Sequence, residues 1–362
     1  FSQVYKHCMY NNFVVEKDGY EVKENEQYTG AYVVQPIPGA YDRVVPFDFT
    51  SLYPTTIIAY NIDYSTLVED ESIPDEDCNI IEWEDHVGCE HDTMVRATKP
   101  KNKICAPHRY RFLKEPMGVI PTLLQNLLNA RKKTKKEMKE AKKKADEAKQ
   151  QIETAEDEET KSKFIKEHEY WDTRYTVLNK RQLAFKVSAN SMYGAMGVKR
   201  GYLPFLPGAM CTTAKGRQSI ELAGETIQRE YAGQLVYGDT DSCYIHFPFL
   251  ETAEQCWDFC LKVENELLSI FPPPMKLAFE EVVYWRFFIL TKKRYMALSC
   301  GRDGIVEDKI MKKGVLLARR DNSKFIRNLY EKVIMDIFNK KEKDDVLYMI
   351  FDYFNQLCSN SF

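Results

Sequence analysis

Gln234-Leu235-Val236-Tyr237-Gly238-Asp239-Thr240-Asp241-Ser242-Cys243-Tyr244-Ile245-His246-Phe247 sets an acidic tip between two short apolar runs. Apolar and small residues on both sides, with glycine ahead of the first acid, predict a β-hairpin with strands at 234–237 and 242–247. In strand-like geometry residues two apart point the same way, so Asp239 and Asp241 would share a face. Crowded carboxylates repel one another unless a cation neutralises them, and an all-oxygen donor set suits Mg²⁺. Alone, Asp-x-Asp also describes an ordinary turn or cap. A second strand end has to support the metal reading.

That end lies upstream, at 41–58. Asp42 precedes an apolar stretch from Val44 to Phe49, followed by Thr50-Ser51-Leu52-Tyr53-Pro54 and Thr55-Thr56-Ile57-Ile58. The pattern predicts a buried strand ending at Asp48, a tight turn, and a helix starting near Pro54, where a missing N–H costs nothing. N–H groups of such a turn could hold phosphates. Three carboxylates on two strand ends are what two-metal phosphoryl transfer requires, one ion at the attacking oxygen and one at the leaving oxygen. Taken alone, Asp48 reads as well as a helix N-cap.

A third block narrows the choice. Lys186, Asn190, Tyr193 and Gly197 stand at i, i+4, i+7 and i+11, one narrow stripe of a helix. Cation, amide and phenol are wrong for a core and right for a surface that meets a triphosphate and a base. On an opposing helical stretch Arg131 and Lys135 are one turn apart and could grip the same phosphates.

The rest of the chain frames these blocks. Residues 67–119 show acidic clusters, two His-Cys patches and no clear period, and read as an irregular insertion. From 121 to 149 leucines give way to a Lys-rich run with Glu interleaved; an acidic patch at 153–159 and a second helical pattern at 161–194 follow. Together they predict a long helical hairpin with a solvated tip, a pattern that by itself also fits a plain coiled-coil arm. Further on come a Gly/Pro-rich loop, helices near 212–231 and 253–270, strands at 276–283 and 287–290, and a helical segment from Lys324. This is an α+β chain without internal repeats.

Composition bounds the class. With 362 residues, 44% hydrophobic and 29% charged, the chain is long enough for several globular lobes. A net charge of −3 announces no nucleic acid, so any such partner needs a local basic surface. No apolar run is long enough to span a bilayer, which predicts no membrane partner. The start at Phe1-Ser2-Gln3 shows neither Met nor a signal pattern, and the abrupt start and end predict a fragment. Ten cysteines without framework spacing predict reduced thiols in an intracellular protein.

Three blocks carry a family resemblance. Asp48-Phe49-Thr50-Ser51-Leu52-Tyr53-Pro54 resembles motif A of family B, delta-like DNA polymerases; Lys186-x3-Asn190-Ser191-x-Tyr193-Gly194 resembles motif B; Tyr237-Gly238-Asp239-Thr240-Asp241-Ser242 resembles motif C. Tyr28-Thr29-Gly30-Ala31 resembles the linker between exonuclease and polymerase modules, and Lys292-Lys293-Arg294-Tyr295 the KKRY block. Lys313-Gly314 and Arg319-Arg320-Asp321-Asn322 resemble the entry to the thumb. The wording of residues 52–61 is most similar to polymerases of large nucleocytoplasmic DNA viruses.

The resemblance implies a right-hand polymerase: an antiparallel-sheet palm, inserted helical-hairpin fingers and the start of a helical thumb. Residues 1–40 would end an exonuclease module and its linker, 41–119 form the first part of the palm with its insertion, and 120–197 the fingers. Residues 198–305 would complete the palm and 306–362 begin a truncated thumb. It implies two Mg²⁺ ions held by Asp48, Asp241, the Phe49 carbonyl and the auxiliary acid Glu280, with Asp239 nearby. Ser51 and Leu52 N–H groups, Arg131, Lys135, Lys186 and Asn190 would bind the dNTP, with Lys186 also protonating pyrophosphate. Tyr53 would exclude a 2′-hydroxyl, and Tyr193 and Gly194 would line the nascent base pair. Lys292, Lys293, Arg294, Tyr295, Lys313 and Gly314 would follow the primer. Partners implied are primed DNA template, dNTPs and, in the full-length protein, a processivity factor; the setting would be a host cytoplasmic factory or nucleus.

Cys89, His91, Cys105 and His108 stand outside these motifs. Two close Cys-His pairs could hold a structural Zn²⁺ and order the insertion, or be reduced cysteines beside surface histidines. Cys256 and Cys260, on a helix with Trp257 and Phe259, read as core. Three rival readings remain: a catalytically inactive polymerase-like scaffold, which needs a broken acid set; a reverse transcriptase, where adjacent paired aspartates are expected; and a coiled-coil interaction protein, which explains the hairpin alone.

Overall fold

The computed structural model describes residues 2–15, 29–92, 103–198, 201, 204–315 and 323–359. In chain order the elements are α1 (Ser2–Tyr10), β1 (Gly39–Phe49), α2 (Leu52–Ala59), β2 (Cys78–Val87), β3 (Ile104–Leu113), α3 (Val119–Thr154), α4 (Glu158–Met196) and α5 (Leu206–Tyr231). There follow β4 (Gln234–Asp239), β5 (Ser242–His246), α6 (Ala253–Leu267), β6 (Leu277–Phe279), β7 (Val283–Thr291), β8 (Arg294–Cys300), β9 (Val306–Lys313), α7 (Lys324–Phe338) and α8 (Lys343–Cys358). The chain divides into two compact units, Phe1–Gly30 with Tyr53–Lys215, and Ala31–Leu52 with Gly216–Phe362. The mix of helix and antiparallel sheet is the α+β class expected.

The second unit is built on a seven-stranded sheet in the order β4-β5-β1-β7-β8-β9, with β6 paired to β1 as well. Every pairing is antiparallel. β1 is central, and Val44, Val45 and Phe47 are wholly buried on its two faces. Its outer partner changes from β7, which pairs as far as Val44, to β6, which pairs from Phe47. Pro46 sits at the change-over. A strand residue turns its N–H and C=O toward the same neighbour, and the Pro46 carbonyl accepts from Glu280 N at 3.1 Å. Its missing N–H therefore falls where the ladder is already interrupted, which is how a proline is tolerated in a central strand. Tyr237, Tyr244, Phe287 and Tyr295 form an aromatic core on this sheet, and Phe288, Met296, Ile334 and Phe338 form a second one involving α7.

The first unit centres on the α3–α4 hairpin. Ala141, Ala145 and Ala148 are buried on α3, and Leu178, Gln182, Ala189, Met192 and Met196 on α4. Small residues on one side and larger ones on the other let two long helices pack closely. Near their base Ile57, Ile62, Ile81, Phe112, Leu124 and Phe205 join Met196 in one core. Asp157 caps α4 by accepting from Thr160 N at 2.8 Å, so the tip of the hairpin is only 155–157.

Three expectations change. Residues 67–119 are not irregular: β2 and β3 pair over ten positions in an antiparallel ribbon, from Cys78↔Leu113 to Val87↔Ile104. One face of the ribbon packs Ile81, Trp83, Tyr110 and Phe112 into the core, but Asp85 and His108 share that face, and these polar residues interrupt the apolar alternation that marks a half-buried strand. The predicted strand 276–283 is split between β6 and β7, and β8 and β9 extend the sheet beyond Leu290. The helix expected from Thr212 starts at Leu206, where Pro207 is tolerated in the first turn. Among the described residues no helix is long and apolar enough to cross a membrane.

Candidate active site

The sheet gathers the predicted acids. Asp48 pairs with Ser242 on one side and Ala278 on the other, and Asp239 pairs with Ser242 across the hairpin. Directly opposed residues share a face, so Asp48, Asp239, Ser242 and Ala278 lie on one face of the sheet. Glu280 follows Ala278 by two residues, and its N–H on the Pro46 carbonyl continues the ladder. Period two puts it on the same face. Phe49 N donates to the Asp241 carbonyl at 2.7 Å, which ties the end of β1 to the β4–β5 turn. Asp48 is half-buried between Phe47 and Phe49, which point to the opposite face and are buried.

The turn itself is tight. Asp241 N donates to the Asp239 carbonyl at 2.7 Å, and Thr240 has φ of 63°. Residues 32–34 run alongside: Thr240 N donates to Tyr32 O at 3.0 Å and Val34 N to Gly238 O at 2.9 Å. A Cβ on Gly238 would lie 2.8 Å from a Val34 methyl and 3.2 Å from the Ser242 carbonyl, so glycine before the acids permits this close approach. Burial, and next the Asp48 carboxylate, push the Cys243 thiol up to about 12, and this cysteine stays protonated beneath the site.

Asp239 is held from two sides. Lys293 Nζ lies 2.6 Å from each of its oxygens, and Tyr237 Oη donates to it at 3.2 Å. Lys293 N in turn donates to Tyr237 Oη at 2.9 Å. Lys293 occupies the β7–β8 turn with φ of 63°, and its carbonyl would meet a Cβ on Gly314 at 2.0 Å. Asp239, Lys293 and Gly314 thus lock three turns together. Lys292 is half-buried and Arg294 and Lys313 are exposed. Tyr295 corrects the expectation of a DNA contact: it is 7% exposed, in the aromatic core, with its hydroxyl 2.9 Å from that of Tyr244. Strand alternation turns it inward while its neighbour Arg294 faces out.

At the turn after β1, Ser51 has φ of 55° and leads into α2. A helix N-terminus is the end of an element that suits an anion.

In the helical unit Tyr53 and Tyr193 pack with ring centroids 4.5 Å apart. Lys186 and Asn190 are exposed, and Tyr193 and Gly197 half-exposed, on a stripe of α4 beside the buried Gln182, Ala189 and Met196. Gly194 is exposed and closes the motif. Arg131 Nε donates to Gln182 Oε1 at 3.3 Å, and burial lowers the Arg131 guanidinium from its ordinary value without discharging it. Lys135 is exposed one turn along α3.

The Cys-His group forms, with one member exchanged. His86, Cys89, His91 and Cys105 each bring one donor atom within 4.8 Å of the others. His108 is elsewhere: it stacks on Trp83 with centroids 4.8 Å apart, and its Nε2 lies 3.2 Å from Asp85 Oδ2. Cys105 and His108 are three residues apart in β3, so they face opposite ways. His86 was missed because its place depends on register, which pairs it with Cys105. Tyr28 and Arg319-Arg320-Asp321-Asn322 lie outside the described residues.

The comparisons agree with the motifs. Residues 1–155 and 158–361 match DNA polymerase family B. "DNA polymerase 120R" of Invertebrate iridescent virus 3 is 45% identical over 375 residues, covering 94% of this chain and 32% of the relative. The putative DNA polymerase 060R of Frog virus 3 (isolate Goorha) is 38% identical over 434 residues, 99% of this chain and 40% of the relative. The DNA polymerase delta catalytic subunit of Candida albicans is 31% identical over 352 residues, 94% of this chain and 29% of that one. The chain belongs to DNA polymerase family B. It spans about a third of the length of the curated relatives it matches.

Proposed function

We propose that this chain carries the catalytic centre of a DNA-templated DNA polymerase, which joins a deoxynucleoside monophosphate from a dNTP to a primer 3′-hydroxyl and releases pyrophosphate. One observation carries the reading: Asp48, Asp241 and Glu280 stand on adjoining strand ends of one antiparallel sheet. Their donor set, with the Phe49 carbonyl, is all oxygen and anionic, which fits hard divalent cations such as a pair of Mg²⁺ ions. When bound, such ions supply Lewis acidity to the attacking and leaving oxygens of an in-line displacement.

The protein's own groups position and neutralise. Asp48 and Asp241 are the primary ligands and Glu280 the auxiliary acid. Asp239, held by Lys293, orients the hairpin tip rather than meeting substrate. Ser51 and Leu52 N–H groups take triphosphate oxygens. Arg131, Lys135 and Lys186 are assigned to the phosphates and Asn190 to the dNTP, supported by their placement on α3 and α4. Lys186 is assigned the proton given to the leaving pyrophosphate. Tyr53 lies under the sugar, held by Tyr193, and Tyr193 with Gly194 borders the nascent base pair. Lys292, Arg294 and Lys313 supply a local positive surface for the primer that the net charge hides.

In this reading the sheet is the palm, α3 and α4 are the fingers, and α7 and α8 begin the thumb; residues 1–40 close an exonuclease module and its linker. Primed DNA and dNTPs are the substrates, a processivity factor is the partner of the full-length protein, and the host cytoplasm or nucleus is the setting.

The test is primer extension with Mg²⁺ and four dNTPs, using this chain, its Asp241→Asn variant and a version extended through the thumb. Extension by the chain or its longer version, abolished by Asp241→Asn, is expected. Both proteins folded and DNA-bound yet inactive would establish a scaffold instead.

A further inference from the structure

We propose that His86, Cys89, His91 and Cys105 form a structural zinc site at the far end of the β2–β3 ribbon, independent of the acidic site on the sheet. Cys105 Sγ lies 3.5 Å from His86 Nδ1 and 3.6 Å from His91 Nδ1, and Cys89 Sγ lies 3.7 Å from His86 Nδ1. A tetrahedral zinc with Zn–S of about 2.3 Å and Zn–N of about 2.0–2.1 Å places sulfur and nitrogen about 3.5–3.6 Å apart. The three separations match that figure within about 0.2 Å.

Thiol–imidazole hydrogen bonds alone explain the cluster poorly. A ring nitrogen has a single in-plane lone pair or a single proton, so it satisfies one partner. Here His86 Nδ1 faces two sulfurs and Cys105 Sγ faces two nitrogens. Donors that converge on a common centre in this way surround an ion.

The surroundings prepare the same state. His86 Nε2 lies 3.1 Å from Glu84 Oε2. A carboxylate on the remote nitrogen fixes the proton there and leaves Nδ1 bare, the outer partner usual for a metal-bound histidine. Gly88, with φ of 64°, donates its N–H to Asp92 Oδ2 at 2.6 Å, and Asp92 N donates to the Cys89 carbonyl at 3.1 Å. These bonds shape the turn that carries Cys89 and His91, while the ladder sets His86 opposite Cys105.

Two thiolates and two imidazoles select a borderline-soft ion over Mg²⁺, and four protein ligands leave no open position for chemistry. The site's role is to pin the end of the ribbon.

The test is metal analysis of this chain purified in a non-thiol reductant, with cobalt substitution as a second readout. One equivalent of zinc, and the visible absorption of thiolate-bound tetrahedral cobalt, are expected. Cys105→Ser and His86→Asn should abolish both, His108→Asn should retain both, and Glu84→Gln should weaken zinc binding ~10–100-fold. Far-UV circular dichroism checks that the variants fold, and the cobalt spectrum of the unaltered chain decides the matter if they do not. Protein that takes up neither zinc nor cobalt overturns the proposal. So does a Cys89–Cys105 disulfide that survives the reductant, or loss of metal in His108→Asn equal to that in Cys105→Ser.

Discussion

At Gly314 a single hydrogen decides whether two turns can meet. Its φ is +60° and an added Cβ would stand 2.0 Å from the Lys293 carbonyl oxygen. Gly304 has φ of +78° with nothing within 4 Å of its Cβ position, so it isolates the backbone cost from the clash. Alanine at Gly304 should cost about 1 kcal/mol of left-handed strain, whereas alanine at Gly314 should cost about 2–4 kcal/mol by adding overpacking. Urea denaturation of the two variants checks this, and equal losses would show that the turns do not depend on their contact. Tyr53 is the other residue with a definite expectation, because its ring is held against Tyr193. Tyr53→Ala should admit ribonucleotides in primer extension, and unchanged discrimination would remove the sugar contact from the reading. Motif resemblance made both residues visible in the sequence. It could not supply the Lys293 carbonyl, which is a contact between bends separated in sequence by two whole strands, β8 and β9.

Among the elements, the α3–α4 hairpin offers a pH-dependent end. Hydrogen bonds from Thr160, first its backbone N–H, hold the Asp157 carboxyl below its usual range. A carboxyl lowered by folding stabilises the helix above its unfolded value and loses that effect as pH falls through the lowered value. Amide protection near 158–161, taken relative to the intrinsic exchange rate at each pH, should therefore fall on acidification below the ordinary carboxylate range, and in Asp157→Ala it should be low already at neutral pH. Exchange in the two proteins that changes alike with pH would remove the cap from the account. At the seam, Ala145 is 4% exposed and its carbonyl lies 3.0 Å from His168 Nδ1. Leucine there should overpack the hairpin by about 1–3 kcal/mol, measured by denaturation. This hairpin was legible because dozens of residues repeat one helical pattern and the acidic patch marks its tip. The β2–β3 ribbon was not, since Asp85 and His108 sit among the apolar residues of its inner face and break the alternation. With the ribbon went the metal cluster: Cys89, His91 and Cys105 were visible as residues, but His86 joins them only through strand register. For the acids the opposite holds. Pattern alone placed Asp48 at the end of an apolar strand and Asp239 and Asp241 at the tip of a hairpin, and the pairing of β1 with β5 then brought the two together.

For the whole molecule, a net charge of −3 and a proposed DNA substrate set a physical constraint. A chain that repels a polyanion on average has to bind it through a few concentrated cations, and each phosphate neutralised releases counterions. Lys292 and Arg294 flank the β7–β8 turn, Lys293 between them is committed to Asp239, and Tyr295 faces the core. The positive charge left for a primer at this turn is therefore that of two residues, not the three cations of the KKRY block. Affinity for primed duplex should fall with rising salt, and the Lys292→Ala/Arg294→Ala pair should lower the log–log salt slope by about 2. Lys293→Ala should behave differently: releasing Asp239 adds an uncompensated carboxylate near the hairpin tip, so extension should drop more than affinity. Fluorescence anisotropy across a salt series, paired with single-turnover extension, separates the two effects. A slope unchanged in the double variant would move the primer contact away from this turn, and a Lys293→Ala variant that loses affinity and extension equally would make Lys293 a phosphate ligand after all.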